Sequence, residues 1–249
     1  MALMHVDYFS NVLGMCTNMD VIIPQNTFGQ IGMEGKADQS YKTLYLLHGM
    51  SDDHTIWQRR TSIERYASAY GIAVVMPAAN LSWYTDMDCG YSNYFTFISK
   101  ELPFICRDFF PKMSTKREDT FIAGLSMGGY GAVKCALAES ETFGKAASLS
   151  GAFDIKKRSK SKYGLSVFGA DSEKHEIDTY AKALAQSQKP KPELFIWCGT
   201  EDGLLEINHE KRDMLVSLGY NVSYSESTGS HCWESWDEQI VNALRFFAK

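Results

Sequence analysis

The feature that most constrains this chain is a pentapeptide, Gly124-Leu125-Ser126-Met127-Gly128, set between two runs of different periodicity. Ahead of it, Thr120-Phe121-Ile122-Ala123 is a compact apolar run that reads as a buried parallel strand. Behind it, residues 129–139 are rich in alanine, leucine and small side chains and read as a helix. A G-x-S-x-G stretch joining strand to helix is the nucleophile-elbow pattern. Its turn is so tight that the positions two before and two after the serine nearly touch, so side chains there would clash. Gly124 and Gly128 meet that need, and Gly129 lets the helix begin close to the sheet. The pentapeptide alone is a weak signal. The strand–turn–helix setting is what gives it weight.

The rest of the chain supplies that setting repeatedly. Residues 6–9 and 20–23 read as an opening antiparallel pair, and residues 43–47 as a strand ending at His48-Gly49. Residues 57–70 read as one helix stopped by Gly71, and residues 72–76 as a strand ended by Pro77. Residues 94–109 are amphipathic and helical, with Pro103 expected to kink the helix or start a second one. Further strands are expected at 145–149, 194–197 and 222–225, and helices at 177–185, 205–218 and 233–247. Residues 151–177 break the rhythm. They are polar, with a basic first half (Lys156, Lys157, Arg158, Lys160, Lys162), and read as an excursion over the strand ends that forms a small cap. Strands alternating with helices imply an α/β fold with a mostly parallel central sheet and helices on both faces. With no linker, repeat or low-complexity tract, residues 1–249 are expected to form a single domain.

In such sheets ligands gather at the carboxyl ends of the strands, so the polar residues that follow strands matter most. Three do so in a telling order: Ser126, then Asp202 in Cys198-Gly199-Thr200-Glu201-Asp202-Gly203, then His231 in Thr228-Gly229-Ser230-His231. The order Ser…Asp…His goes with an elbow serine on an α/β-hydrolase sheet. A serine hydroxyl needs a base within reach, and the base needs a carboxylate to hold its tautomer and stabilise its charged form. Of the six histidines, only His231 both follows a late strand and sits on a Gly-Ser turn ahead of a helix. Asp202 is preferred to its neighbour Glu201 because the shorter carboxylate is common in this role and Gly203 permits a sharp loop. Backbone donors for an oxyanion are expected from the N–H of Met127, just after the serine, and of Met50, in the loop after the 43–47 strand. Trp83, Tyr84 and Tyr91 follow a strand end and are candidates to line a substrate pocket, as is Trp233 beside His231; loop and sheet packing are the plainer readings of each.

Composition narrows the partners. A net charge of −5 at pH 7 argues against nucleic acid. The N-terminal residues carry neither the basic nor the apolar region of a signal peptide. No stretch approaches the roughly 20 apolar residues that span a bilayer. Six cysteines, Cys16, Cys89, Cys106, Cys135, Cys198 and Cys232, form no C-x-x-C pair and suit a reduced, cytoplasmic protein. No metal-binding pattern, dinucleotide fingerprint or P-loop is present, so neither metal nor cofactor is expected. The basic run from Lys156 to Lys162 reads as a solvated loop.

Several motifs together resemble one family: Leu46-Leu47-His48-Gly49-Met50, Trp57, Arg60-Thr61, Glu64-Arg65, Val74-Val75-Met76-Pro77, Trp83-Tyr84-Thr85-Asp86, Glu101-Leu102-Pro103 and residues 121–131 around Ser126. They resemble the bacterial tributyrin esterases of the esterase D-like group, related to the carbohydrate esterases that include acetylxylan and feruloyl esterases. The resemblance spans nearly the whole chain. It implies an α/β-hydrolase fold and a cytoplasmic serine esterase acting on short-chain acyl esters, acetyl to butyryl. It also implies Ser126, Asp202 and His231 as catalytic triad, Met50 and Met127 as oxyanion donors, and a homo-oligomer. Residues 156–174 look shorter and more basic than that family's pattern. The chain is also similar, more distantly, to S-formylglutathione hydrolases. It has Tyr130 where their histidine follows Gly-Gly, and Met50-Ser51 where they carry Leu-Thr.

Overall fold

Two strands of this chain, over residues 72–77 and 120–125, are buried along their whole length, as strands of a parallel sheet covered on both faces must be. In the computed structural model, which describes residues 1–27, 40–88 and 92–249, β1 (Ala2–Ser10), β2 (Met15–Ile23), β3 (Lys42–Leu47), β4 (Ile72–Pro77), β5 (Thr120–Leu125), β6 (Lys145–Leu149), β7 (Glu193–Gly199) and β8 (Val222–Ser227) form one eight-stranded sheet. Cys89 and Tyr91 lie outside the described residues. The strand order is β1-β2-β4-β3-β5-β6-β7-β8. β1 pairs antiparallel with β2 and β2 with β4; every other pairing is parallel.

Alternation along the central strands divides the core in two. Leu44, Leu46, Ile72, Val74, Met76, Phe121, Ala123 and Leu125 face one side, against Trp57, Ile63, Trp236, Ile240 and Phe247. Tyr45, Leu47, Ala73, Val75 and Ile122 face the other, against Phe97, Leu102, Tyr130, Val133 and Ala181. Helices Ile56–Arg60, Ile63–Tyr70 and Trp233–Ala248 thus cover the first face. Helices Leu102–Phe109, Met127–Ala138 and Ile177–Ala185 cover the second. This is the α/β-hydrolase arrangement expected from the sequence. Among the described residues no helix is long and apolar enough to cross a membrane.

Two helices differ from expectation. The helix expected over 57–70 is broken at Thr61, whose backbone is extended (φ −136, ψ 171). The Thr61 hydroxyl donates to Trp57 O (2.5 Å), and the Ser62 N–H donates to Asp237 of the last helix (3.3 Å), so side chains replace the helical ladder there. The 94–109 segment begins with a helical turn, Tyr94–Thr96, widens into a π-helical turn, Phe97–Glu101, and then starts a helix, Leu102–Phe109, with Pro103 in its first turn. Proline lacks the N–H that would continue the ladder and is tolerated in that position.

The excursion over 151–177 holds two short helices, Ile155–Arg158 and Lys162–Phe168, and a 3₁₀ turn, Glu173–His175. It forms a small cap. Registry places the strand ends beneath it: Leu47 pairs with Gly124, Leu125 with Leu149, Leu149 with Trp197, and Gly199 with Ser227. The loops after β3, β5, β7 and β8 therefore emerge side by side.

Candidate active site

The turn after β5 shows why its sequence is so restricted. A Cβ at Gly124 would lie 2.5 Å from the backbone of Gly128, and one at Gly128 would lie 2.6 Å from Leu47 O. Only hydrogen fits at either position. Between them Ser126 adopts φ 52, ψ −116, a conformation an L-residue avoids at a cost of about 1–3 kcal/mol. The turn is held by its neighbours: the Ser126 N–H donates to Leu149 O (2.9 Å), and Ser126 O accepts from the N–H groups of Tyr130 (3.1 Å) and Ala152 (3.0 Å). The strain lifts the hydroxyl off the sheet into a cleft.

His231, in the loop between β8 and the last helix, lies across that cleft. Its Nε2 is 3.0 Å from Ser126 Oγ, and its Nδ1 is 2.8 Å from Asp202 Oδ2. An ionised carboxylate only accepts, so Nδ1 carries the hydrogen and Nε2 is left to accept from the hydroxyl. Asp202, after β7, has a side chain only 1% exposed, and its other oxygen accepts from the Leu204 N–H (2.9 Å). Burial by itself would push this carboxyl up. Hydrogen bonds from His231, Ser150 and Leu204 outweigh it and hold the group below the usual carboxylate range. Glu201, the rival acid, is exposed, and His209 pairs with Glu226 instead (2.5 Å).

Two further residues brace the imidazole. Trp236 meets the His231 ring edge-on at 4.9 Å and donates from Nε1 to Ser150 Oγ (3.2 Å). Ser150, just beyond β6, also has a positive φ of 52. The rule that singled out Asp202, a polar residue following a strand, also describes Ser150.

On the opposite side of the serine, Met127 opens the helix Met127–Ala138, so its N–H has no acceptor within the helix. Met50 follows β3 and His48-Gly49. His48 is buried, accepts the Ala79 N–H at Nε2 (3.0 Å) and donates from Nδ1 to Gly49 O (2.8 Å). Burial lowers its pKa, which keeps the ring neutral and this tautomer in place. Gly49 O belongs to the same peptide plane as the Met50 N–H, so the imidazole fixes the direction of both.

Two clefts meet at His231 and Met50. The larger, about 620 Å³, runs under the cap and is lined by Trp83, Arg158, Tyr163, Phe168 and Leu204. The smaller, about 290 Å³, contains Ser126 and is walled by Leu125, Trp233 and Trp236. Trp83 thus lines the larger cleft and Trp233 the smaller. Tyr84 does not: it is fully buried, lines neither cleft, and donates its hydroxyl to His48 O (2.8 Å). Trp83 and Tyr84 both have positive φ (53 and 49), and both rings pack in the same core cluster, with that of Trp83 also bordering the larger cleft.

Lys134, on the elbow helix, holds that loop. Its buried ammonium donates to Tyr84 O (3.1 Å) and Thr85 Oγ1 (2.8 Å) and lies 5.1 Å from the ring of Phe95. Burial lowers its pKa to about 7. From above, the Arg158 guanidinium packs on the Trp83 ring at 4.8 Å while paired with Asp154 (2.5 Å). Arg158 is thus engaged, whereas the lysines of the same basic run are exposed.

Residues 10–247 match the model of the Esterase family, described as "Putative esterase". The chain is 30% identical to an acetyl esterase of Caldicellulosiruptor saccharolyticus over 265 residues, which cover 100% of this chain and 99% of that protein. Among solved structures it is similar to FphF, a fluorophosphonate-binding serine hydrolase of Staphylococcus aureus, at 32% identity and a TM-score of 0.89, covering 100% of this chain and 98% of the other. It is also similar to the S-formylglutathione hydrolase FrmB of Staphylococcus aureus, at 30% identity and a TM-score of 0.86, covering 100% and 99%. A ferulic acid esterase matches at 26% identity and a TM-score of 0.80, covering 99% and 98%. Likeness of this degree along the full chain places the protein in the esterase family, as a serine carboxylic ester hydrolase with the α/β-hydrolase fold.

Proposed function

We propose that this esterase cleaves short-chain acyl esters, acetyl to butyryl, through an acyl-enzyme formed on Ser126. The observation that supports the reading most is the relay Asp202–His231–Ser126, with links of 2.8 and 3.0 Å at the carboxyl edge of a parallel sheet. His231 Nε2 takes the hydroxyl proton as Ser126 Oγ bonds to the ester carbonyl carbon. Negative charge then collects on the carbonyl oxygen, where the N–H groups of Met50 and Met127 receive it. Asp202 stabilises the imidazolium. His231 passes its proton to the leaving oxygen, the C–O bond breaks, and a water molecule repeats the sequence on the acyl-enzyme.

In this mechanism His48 is a positioning residue: it holds the peptide that presents the Met50 N–H. His48→Ala is expected to lower kcat by about 10–100-fold, less than removal of an oxyanion donor, while KM stays within a few-fold. A change confined to KM would separate His48 from the oxyanion loop.

The smaller cleft suits the acyl chain, because Leu125, Trp233 and Trp236 close it beside the nucleophile. The larger suits the alcohol. On p-nitrophenyl acetate, butyrate and octanoate, kcat/KM is expected to drop by about tenfold or more from butyrate to octanoate. Equal rates on octanoate would remove the short-chain reading. Two other substrates belong in the same assay. A feruloyl ester tests the likeness to the ferulic acid esterase. S-formylglutathione tests a thioesterase reading, which draws on the likeness to FrmB and on Lys157, an exposed lysine lining the larger cleft where an anionic thiol would leave. The substrate turned over with the highest kcat/KM decides among them.

A further inference from the structure

Asp52 lines the cleft that contains Ser126, yet no step of the ester cleavage described above uses it. It is half-buried in the loop after β3, just beyond Met50. A Cβ placed on Gly49 would lie 3.1 Å from Asp52 Oδ2 and 3.8 Å from Ser126 Cβ. The carboxylate and the nucleophile thus border one small space. Among the described residues Asp52 forms no ion pair, and the nearby Arg59 pairs with Asp53 instead (3.5 Å). No lysine or arginine lines this cleft, and Asp52 is the one carboxylate among its lining residues that are described.

Such a place is unfavourable for a negative charge in two ways. Burial pushes the Asp52 carboxyl above its ordinary range, and the Gly49 N–H that donates to it offsets this only in part. An ionised carboxylate here also opposes the negative charge that collects on the ester carbonyl oxygen, because like charges repel at short range. A positive charge on the acyl group would relieve both. The other walls of the cleft suit one. Trp233 is held edge-on between Trp57 (5.2 Å) and Trp236 (5.4 Å), and Trp233 and Trp236 both line the cleft. Indole rings attract cations, alkylated ammonium groups above all, and a carboxylate beside them adds to the attraction. A volume of about 290 Å³ leaves room for a short chain that ends in such a group.

We propose that the acyl groups this enzyme prefers carry a positively charged nitrogen close to the carbonyl, as in glycyl and trimethylglycyl esters, and that Asp52 is the residue that selects them. The proposal rests on the smaller cleft being the acyl site of a serine esterase. It gives Asp52 a role in specificity and leaves the reaction at Ser126 as it stands. Acyl groups that bear a carboxylate of their own are rejected by the same charge.

The test compares two p-nitrophenyl esters of the same shape near neutral pH. One is the trimethylammonioacetyl ester; the other is the 3,3-dimethylbutanoyl ester, in which carbon replaces the nitrogen. Dividing each kcat/KM by the rate of the same ester with hydroxide corrects for intrinsic reactivity. Wild type is expected to favour the cationic ester by about tenfold or more in this normalised ratio. Asp52→Asn is expected to lower the ratio by about tenfold, and Asp52→Lys to reverse the preference. Fluorophosphonate labelling at Ser126 shows that each variant is folded, and the wild-type ratio is read without any variant. A wild type that favours the neutral ester overturns the proposal, as does a ratio that Asp52→Asn leaves unchanged; in both cases the short-chain esterase reading survives. A wild type that turns over neither ester, nor p-nitrophenyl acetate, removes that reading and the proposal with it.

Discussion

Ser126→Ala is expected to lower kcat on p-nitrophenyl acetate by about 10⁴–10⁶-fold, with KM nearly unchanged. The size follows from the proposed mechanism, in which the hydroxyl oxygen is the atom that bonds to the acyl group. The residual rate then comes only from binding and from the two backbone donors. The fold should tolerate the change. The backbone bonds that hold the turn run through the N–H and C=O of residue 126, not through its side chain. Alanine at φ 52 is no more strained than serine. A fluorophosphonate probe supplies an independent readout: mass spectrometry should find it on Ser126 in the wild type and nowhere in the alanine variant. A variant that turned over within tenfold of wild type, or that still took up the probe, would place the nucleophile elsewhere.

The second large effect is expected at the far end of the relay. Asp202→Asn should lower kcat by about 10⁴-fold while leaving the serine and histidine in contact. The amide can donate to Nδ1, which puts the imidazole hydrogen on Nε2, where it can no longer accept from Ser126. The same substitution has a signature in stability. The Asp202 carboxyl is held below its ordinary value of 3.8, so its ionised form is favoured in the folded protein. Its contribution is therefore fully present above about pH 3.8 and fades as pH falls through the lower folded value. Chemical denaturation should show wild type more stable than Asp202→Asn at neutral pH, with the gap narrowing in acid below pH 3.8. A constant gap down to pH 2 would mean that the hydrogen bonds to Asp202 do not depend on its charge.

Much of this arrangement is legible in residue order. The strand before Ser126, the paired glycines and the helix after them are neighbours in sequence, so their spacing reports their geometry directly. The order Ser126, Asp202, His231 likewise implies three strand ends, because a parallel sheet brings the carboxyl ends of its strands to one edge. The break at Thr61 was hidden because the group that takes the Ser62 N–H is Asp237, far along the chain. Lys134 stands in a helical run of small and apolar residues, with nothing local to mark its place. It is buried because that helix is covered on the side where the Trp83–Tyr84 turn folds back over it.

The sequence by itself determined the class of fold, the elbow, and the identity and order of the residues that meet there, since each rests on local spacing or on the single rule of parallel-strand ends. Only the tertiary structure decided which aromatic side chain lines the cleft. Trp83 does and Tyr84 does not, at a turn of two successive left-handed residues held by His48, Lys134 and Thr85. A choice made by backbone dihedrals that distant residues hold in place leaves no periodicity in the sequence to read.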